Sequence, residues 1–329
     1  MAFPVDRQEI QRFLQPSGQD LTLDQLRALA EQSFRAIRAR ATVHHYLLDW
    51  HQFCAWCQEH RLRAFPATPD TVILFATDLT KNGERKVSTI QRKFSAISKI
   101  HLHLGVPSPT HAPITRQFLS GLRRELGVAV TRKKPVMVDD LKTIIQALPN
   151  TLIGTRNRCL LLLGFAGAFR RSELVALNTT DFETTNEGLV VAIRRSQTDQ
   201  VGEGRVIGIP YGTGITCPVR ALHDWLAASG IQSGPIFRQV NRHGQILPGR
   251  LSGEAVALVV KQYVEQLGFD PHRFAGHSLR AGLAVSAAAH GKSERSIMKQ
   301  TGHKISESVR RYINDGQLFR DNAVEGLGL

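Results

Sequence analysis

Residues 130–138, VTRKKPVMV, interrupt an otherwise helical pattern and constrain everything else about the chain. Pro135 has no backbone N–H and a fixed φ, so no helix runs through it, and the three cations before it favour water. Helical periodicity exists on both sides of this break, and 329 residues are enough for two hydrophobic cores. The expected organisation is a polar arm over 1–20, a helical domain over 21–130, a linker over 131–136 and a second domain over 137–329.

Before the break, four stretches carry apolar residues at helical spacing: LTLDQLRALAEQSFRAIRA, ATVHHYLLDWHQFCAWCQEH, TPDTVILFATDLTKNG and KVSTIQRKFSAISKIHLHLG. The third has a Thr/Pro/Asp entry and stops at Asn82-Gly83. In the fourth, Ile90, Phe94, Ile97 and Leu104 share one face, and Ser88, Arg92, Ser95, Lys99 and His103 the opposite one. A packed face backed by a basic, hydroxyl-bearing one suits DNA phosphates, although a solvated surface helix carries the same pattern. Lys86, Arg92, Lys93 and Lys99 are the candidate DNA contacts in this half.

Charge supports that reading. The net charge is +14, and between Lys81 and Lys134 twelve lysines and arginines face two glutamates. So concentrated a surplus points to a polyanion, most simply nucleic acid. No apolar run is long enough to span a bilayer, and the first twenty residues lack the apolar core of a secretory signal, so the expectation is a cytoplasmic protein without a membrane partner. Cys54 and Cys57, flanked by His51 and His60, invite a metal reading. Successive members are three residues apart, however, so on a helix they fan outward and do not converge on one ion. Both cysteines also belong to an apolar stripe with Tyr46, Leu47, Trp50 and Phe53, which makes buried thiols and no metal the expectation.

After the break, helical patterns recur at DDLKTIIQAL, TRNRCLLLLGFAGAF, CPVRALHDWLAAS, GEAVALVVKQYVEQLG, GHSLRAGLAVSAAAHG and SERSIMKQTG. Between them GLVVAIRR and RVIGIP are β-branched runs joined by SQTDQVGEG, a hairpin with a glycine-bearing loop. The chain therefore reads as mainly α with a small antiparallel sheet in its second half.

That half also carries four polar features in order: Arg170 with Glu173, His277 with Arg280, then His303, then Tyr312. Two planar arginine forks can hold the non-bridging oxygens of one phosphate and stabilise a five-coordinate transition state. A tyrosine beside them can attack phosphorus, and histidines can take and return protons. Nine residues of unbroken helix would point His303 and Tyr312 in opposite directions, so one site requires a bend between them, and Gly302 is consistent with that bend.

The order Arg…His-x-x-Arg…His…Tyr resembles the signature of the tyrosine recombinases, the phage-type integrases, and the resemblance covers nearly the whole chain. It implies a SAM-like core-binding domain over 21–128 that clamps one side of the DNA, and a mostly helical catalytic domain over 137–329. It further implies that Arg170, His277, Arg280 and His303 surround the scissile phosphate, that Tyr312 is the nucleophile and that Glu173 supports the site. Bond energy is kept in the phosphotyrosine link, so no cofactor is expected. Double-stranded DNA and a homotetramer on two DNA sites are the implied partners. The tail DGQLFRDNAVEGLGL, apolar at Leu318, Phe319, Val324 and Leu327, would dock on a neighbouring protomer or pack on its own domain.

The sequence departs from the family at one point. The hairpin-loop lysine, which donates a proton to the departing 5′ oxygen, is replaced by Gln197, and no lysine occurs from Glu183 to Pro210. An amide cannot give up a proton, and losing a general acid costs on the order of 10²–10⁴ in rate. Arg194 and Arg195, at the loop's edge, are further candidate DNA contacts. With Arg205 they flank the loop, but arginine holds its proton too tightly for acid work. Lys304 as a substitute acid, a slow enzyme, an engineered substitution for trapping and a silent DNA-binding relative all remain open on sequence. A topoisomerase-like relaxer shares the chemistry, but the helical first domain favours recombination.

Overall fold

A computed structural model describes residue 25, residues 40–83, 86–127, 132–194, 204–303 and 305–318, and residue 324. The chain divides into two compact units, 1–130 and 131–329. The expected arm over 1–20, the helix over 21–39 apart from residue 25, and the hairpin loop with Arg195 and Gln197 lie outside the described residues, as do Lys304, Phe319 and Leu327.

The described part of the first unit is helical: α1 (Arg40–Glu59), α2 (Pro69–Lys81), α3 (Val87–His103) and α4 (Pro113–Leu126). Thr68 caps α2, its side chain accepting from the Thr71 N–H at 3.2 Å, and Pro69 follows where its missing N–H costs nothing. Trp50, Phe53, Cys54 and Cys57 of α1 are fully buried with Phe75, Ile90 and Ile97. Phe53 meets Phe75 edge-on at 5.2 Å. The CxxC is therefore core, and neither cysteine is in a disulfide. Burial pushes the Cys57 thiol up to about 12.

The second unit adds α5 (Val138–Ala147), α6 (Leu152–Ala166), α7 (Arg171–Ala176), α8 (Pro218–Ser229), α9 (Gly253–Gln266), α10 (Ser278–Ala289), α11 (Glu294–Thr301) and α12 (Ser306–Gly316). From Cys159 onward helix α6 is apolar around its circumference, with Cys159 through Leu163 all buried, because α8 and α10 pack against it. The expected hairpin is present as β2 (Gly188–Ile193) and β3 (Arg205–Pro210), antiparallel with Val191 opposite Ile207. A short β1 (Phe182–Thr184) extends it, and a separate hairpin pairs β4 (Arg238–Val240) with β5 (Ile246–Arg250). Neither was legible in the pattern, because β1 has three residues and β5 is mostly exposed, so neither shows apolar alternation.

The segment expected as a linker is seated on the second unit. The Lys134 N–H donates to the Arg273 carbonyl at 2.7 Å, and the Val136 N–H to the Ser278 carbonyl at 3.0 Å. The Val136 carbonyl crosses α10 at Gly282, where a Cβ would lie 1.9 Å from its oxygen. Pro135 stops a helix here, as expected, yet the stretch has fixed partners rather than open solvent. Among the described residues no helix is long and apolar enough to cross a membrane.

Candidate active site

The turn after α6 begins the site. Gly167 caps the helix and Ala168 adopts φ +47°, a left-handed conformation rare for a side-chain-bearing residue. That reversal turns the Ala168 carbonyl to Arg280, whose Nη1 donates to it at 2.8 Å. It also leaves Arg170 at the N-cap of α7.

Glu173, in the first turn of α7, is buried and accepts three times. Oε2 takes the Arg170 N–H at 2.9 Å, Oε1 takes Arg170 Nη1 at 2.6 Å, and Oε2 takes Arg205 Nη2 at 3.3 Å. Arg205, the first residue of β3, also donates through Nη1 to the Gln300 carbonyl at 2.8 Å. One carboxylate thus fixes an arginine from α7 and an arginine from β3, and the second arginine holds the end of α11.

Arg280 is fully buried within α10. Its Nη2 lies 3.2 Å from His303 Nε2. Among the described residues its Nε has no hydrogen-bond partner. Burial first, and the nearby Arg170 second, pull its guanidinium down to about 10, so it stays charged at neutral pH. Three arginines around one glutamate leave the cluster with a positive surplus.

The bend expected before Tyr312 is present. Helix α11 ends in Gly302 at φ +67°, and α12 starts at Ser306. Only glycine suits this position twice over, since a Cβ would also lie 2.8 Å from the Arg205 guanidinium. The reversal brings the His303 and Tyr312 rings to 6.2 Å. Tyr312 packs beside Ala284, Ala288 and Ile297, and its hydroxyl reaches 3.2 Å from His277 Nε2.

The protonation of His303 follows from its neighbours. The Thr301 hydroxyl donates to the Ile297 carbonyl at 2.7 Å, so it accepts from His303 Nδ1 at the same distance. Nε2 is then the ring's acceptor, 3.2 Å from Arg280 Nη2, which also lies 3.4 Å from Nδ1. A second proton there would point at a cation, and burial followed by Arg280 and Arg170 holds this imidazole down to about 4. His277 is lowered too, by burial and then by Arg280 and Arg170. Both are neutral at pH 7, and with its proton on Nδ1 His277 accepts from the Tyr312 hydroxyl.

Arg170, Glu173, His277, Arg280, His303 and Tyr312 thus form one cluster. His277 precedes α10 as its N-cap, one turn ahead of Arg280. Arg205 and Thr301 were not singled out from sequence for this site. Arg205 was weighed only as an acid, and nothing in the sequence marked it as the partner of Glu173.

The candidate DNA contacts fare differently. Lys86, at the N-cap of α3, and Lys99 are exposed. Arg92 is exposed but pairs with Asp49 at 3.0 Å. Lys93 is a correction: it is buried, with Nζ 3.1 Å from Asp49 and a further bond to Gln52. Three residues after Ile90, it falls on the packed side, where an acid from α1 meets it. Arg194 is occupied by Asp181 at 2.6 Å and Thr180 at 3.0 Å.

Comparison with known proteins agrees with this architecture. The phage integrase family model matches residues 135–317. An integrase/recombinase xerD homolog from Selenomonas ruminantium is 39% identical over 306 residues, covering 92% of this chain and 89% of that protein. Recombinase cre from Escherichia phage P1 is 24% identical over 321 residues, covering 90% and 91%. The fold is similar to that of XerH recombinase bound to a palindromic difH substrate, with a TM-score of 0.65, 15% identity and coverage of 97% and 89%. It is also similar to that of a lambda integrase dimer bound to a core site, with a TM-score of 0.61, 16% identity and coverage of 89% and 96%. With the family model spanning more than half of its length and a relative at 39% identity across 92% of it, the chain belongs to the phage integrase family of tyrosine recombinases, which perform DNA strand transfer.

Proposed function

We propose that this chain is a site-specific recombinase in which Tyr312 attacks a DNA phosphodiester and carries the strand as a 3′-phosphotyrosine. The observation that supports this most is the Tyr312 hydroxyl 3.2 Å from His277 Nε2, with Arg280 and Arg170 close enough to disfavour a charged imidazole. The phenolic oxygen bonds to phosphorus as its proton passes to His277, and the bond from phosphorus to the 5′ oxygen breaks, that oxygen taking a proton from water to become the 5′-hydroxyl. The 5′-hydroxyl then attacks the phosphotyrosine of a partner strand and releases Tyr312. A phosphodiester has one negative charge and the five-coordinate transition state about two. Arg170, Arg205 and Arg280 with Glu173 sum to a surplus of two positive charges, which fits the transition state better than the substrate.

The partner is double-stranded DNA, with the exposed Lys86, Arg92 and Lys99 side of the first unit on its phosphates. Solved relatives of this fold are described with difH DNA and with a core site. The assembly is a homotetramer on two sites, as the family resemblance implies. Gln197 favours one other reading, a DNA-binding relative with weakened or lost cleavage. Nicked duplexes tiled from the DNA flanking this gene separate the two. A protease-sensitive adduct that is lost in Tyr312→Phe supports the enzyme. An adduct seen only with Gln197→Lys supports the binding relative. Tight binding without any adduct, even with Gln197→Lys, would rule out the mechanism.

A further inference from the structure

Residues Arg132, Lys133, Lys134 and Pro135 of the seated segment line a cleft of about 430 Å³ that also holds Tyr312 and His303. Arg132, Lys133 and Lys134 are three consecutive exposed cations on its wall. Arg311 adds a fourth, and Asp315 is the one acid on the lining, so the cleft carries a clear positive surplus. Lys133 is tied through Nζ to the His272 carbonyl. The side chains of Arg132 and Lys134 make no hydrogen bond or ion pair among the described residues, and the backbone is held at Lys134 and Val136. The fixing points matter. Val136 is bonded to Ser278, the residue after His277, and its carbonyl rests on Gly282 of α10. A cationic wall thus hangs from the same helix that presents His277 and Arg280.

A pair of cations anchored beside a nucleophile, with no acid of their own, suits a second phosphate of the strand being cut. We propose that Arg132 and Lys134 form a phosphodiester subsite that holds the backbone phosphate next to the one Tyr312 attacks, so that the segment is part of the cleavage cleft and not a tether. The subsite rests on the proposed function for its position along the strand, but its test reads binding. It would position the strand without touching the reacting atoms.

The test uses the full chain and the tightest-binding duplex of the tiled set. Methylphosphonate, which removes one charge, is placed at each phosphate in turn across the bound region. The chain as given is compared with Arg132→Ala/Lys134→Ala and with the charge-keeping Arg132→Lys/Lys134→Arg. The alanine pair is expected to lower the slope of log affinity against log salt by about 0.9, the change for one phosphate no longer neutralised. A methylphosphonate at one position, next to the cleaved phosphate, should weaken the chain as given yet have no further effect on the alanine pair, and the charge-keeping pair should behave like the parent. Losses that multiply at every position would overturn the subsite and leave only diffuse attraction. An unchanged salt slope would overturn it as well. Adduct formation on the same duplex is scored separately. Its absence would count against Tyr312 chemistry, while the methylphosphonate pattern would still decide the subsite.

Discussion

Each unit of this protein contains one buried carboxylate holding two cations, and the two arrangements serve opposite ends. In the first, Asp49 of α1 takes Arg92 at 3.0 Å and Lys93 at 3.1 Å, and Gln52 takes another Lys93 bond. In the second, Glu173 takes Arg170 and Arg205, at 2.6 and 3.3 Å. Lys93 is consumed by its partners and fastens α3 to α1. Around Glu173 a third cation, Arg280, forms no ion pair with a carboxylate among the described residues. Its hydrogen-bond partners are a carbonyl and a neutral imidazole. A buried acid therefore does not mark a silent structural pair. What decides is whether the cations outnumber it, because only a surplus leaves a field for an anion to enter.

The comparison breaks hardest at Arg280. Arg280→Gln should lower the rate of Tyr312 adduct formation by about 10²–10³, the usual cost of one preorganised donor to a developing oxyanion. Single-turnover capture on a nicked duplex checks it, with circular dichroism confirming the fold. If adducts form at the parent rate, the surplus is not what stabilises the transition state. Glu173→Gln comes next. It adds net positive charge yet releases both arginines, and adduct formation should slow by about tenfold or more, equivalent to some 1.4 kcal/mol of lost positioning. A faster reaction would show that net charge matters more than placement.

The first unit should respond in stability alone. Lys93→Met leaves Asp49 buried with only the exposed Arg92, and its thermal midpoint should fall. Asp49→Leu/Lys93→Met removes both charges and should recover most of the loss, since apolar replacement of a buried pair is often neutral or stabilising by about 1–4 kcal/mol. Adduct yield per bound DNA should stay at the parent level in both.

The smallest effect concerns pH. His303, His277 and the buried His101 all have folded values below the ordinary 6.5, and His303 is near 4. The unfolded chain binds more protons in that window, so stability is fully present above about 6.5 and declines as pH falls towards 4. Thermal melts across this range read it directly. Thr301→Val, which removes the hydroxyl that accepts from His303 Nδ1, should change that decline in the second unit only.

The contrast also shows what a sequence can carry. Arg170 with Glu173 and His277 with Arg280 were readable because each pair lies within one turn, where spacing fixes proximity. The bend at Gly302 was readable because two residues meant for one site would otherwise diverge. Arg205 was not, since its partners, Glu173 and the Gln300 carbonyl, are distant in the chain and one of them is backbone. Ala168 was not either, because a left-handed alanine has no residue-type signature. The fate of Lys93 depended on an acid from another helix, which no single-helix pattern contains. The mainly helical fold with a small antiparallel sheet followed from periodicity, whereas β1 and the β4–β5 pair were too short and too exposed to show one.

The four cysteines have a practical consequence. All are fully buried, two in each unit: Cys54 and Cys57 in the first, Cys159 and Cys217 in the second. Burial raises the Cys57 and Cys159 thiols, so even a brief encounter with reagent finds little thiolate. The intact chain should thus be nearly inert to alkylation, and whatever labelling occurs counts excursions in which one unit opens. Peptide mapping of the labelled sites would yield a separate opening free energy for each half from a single unmodified sample.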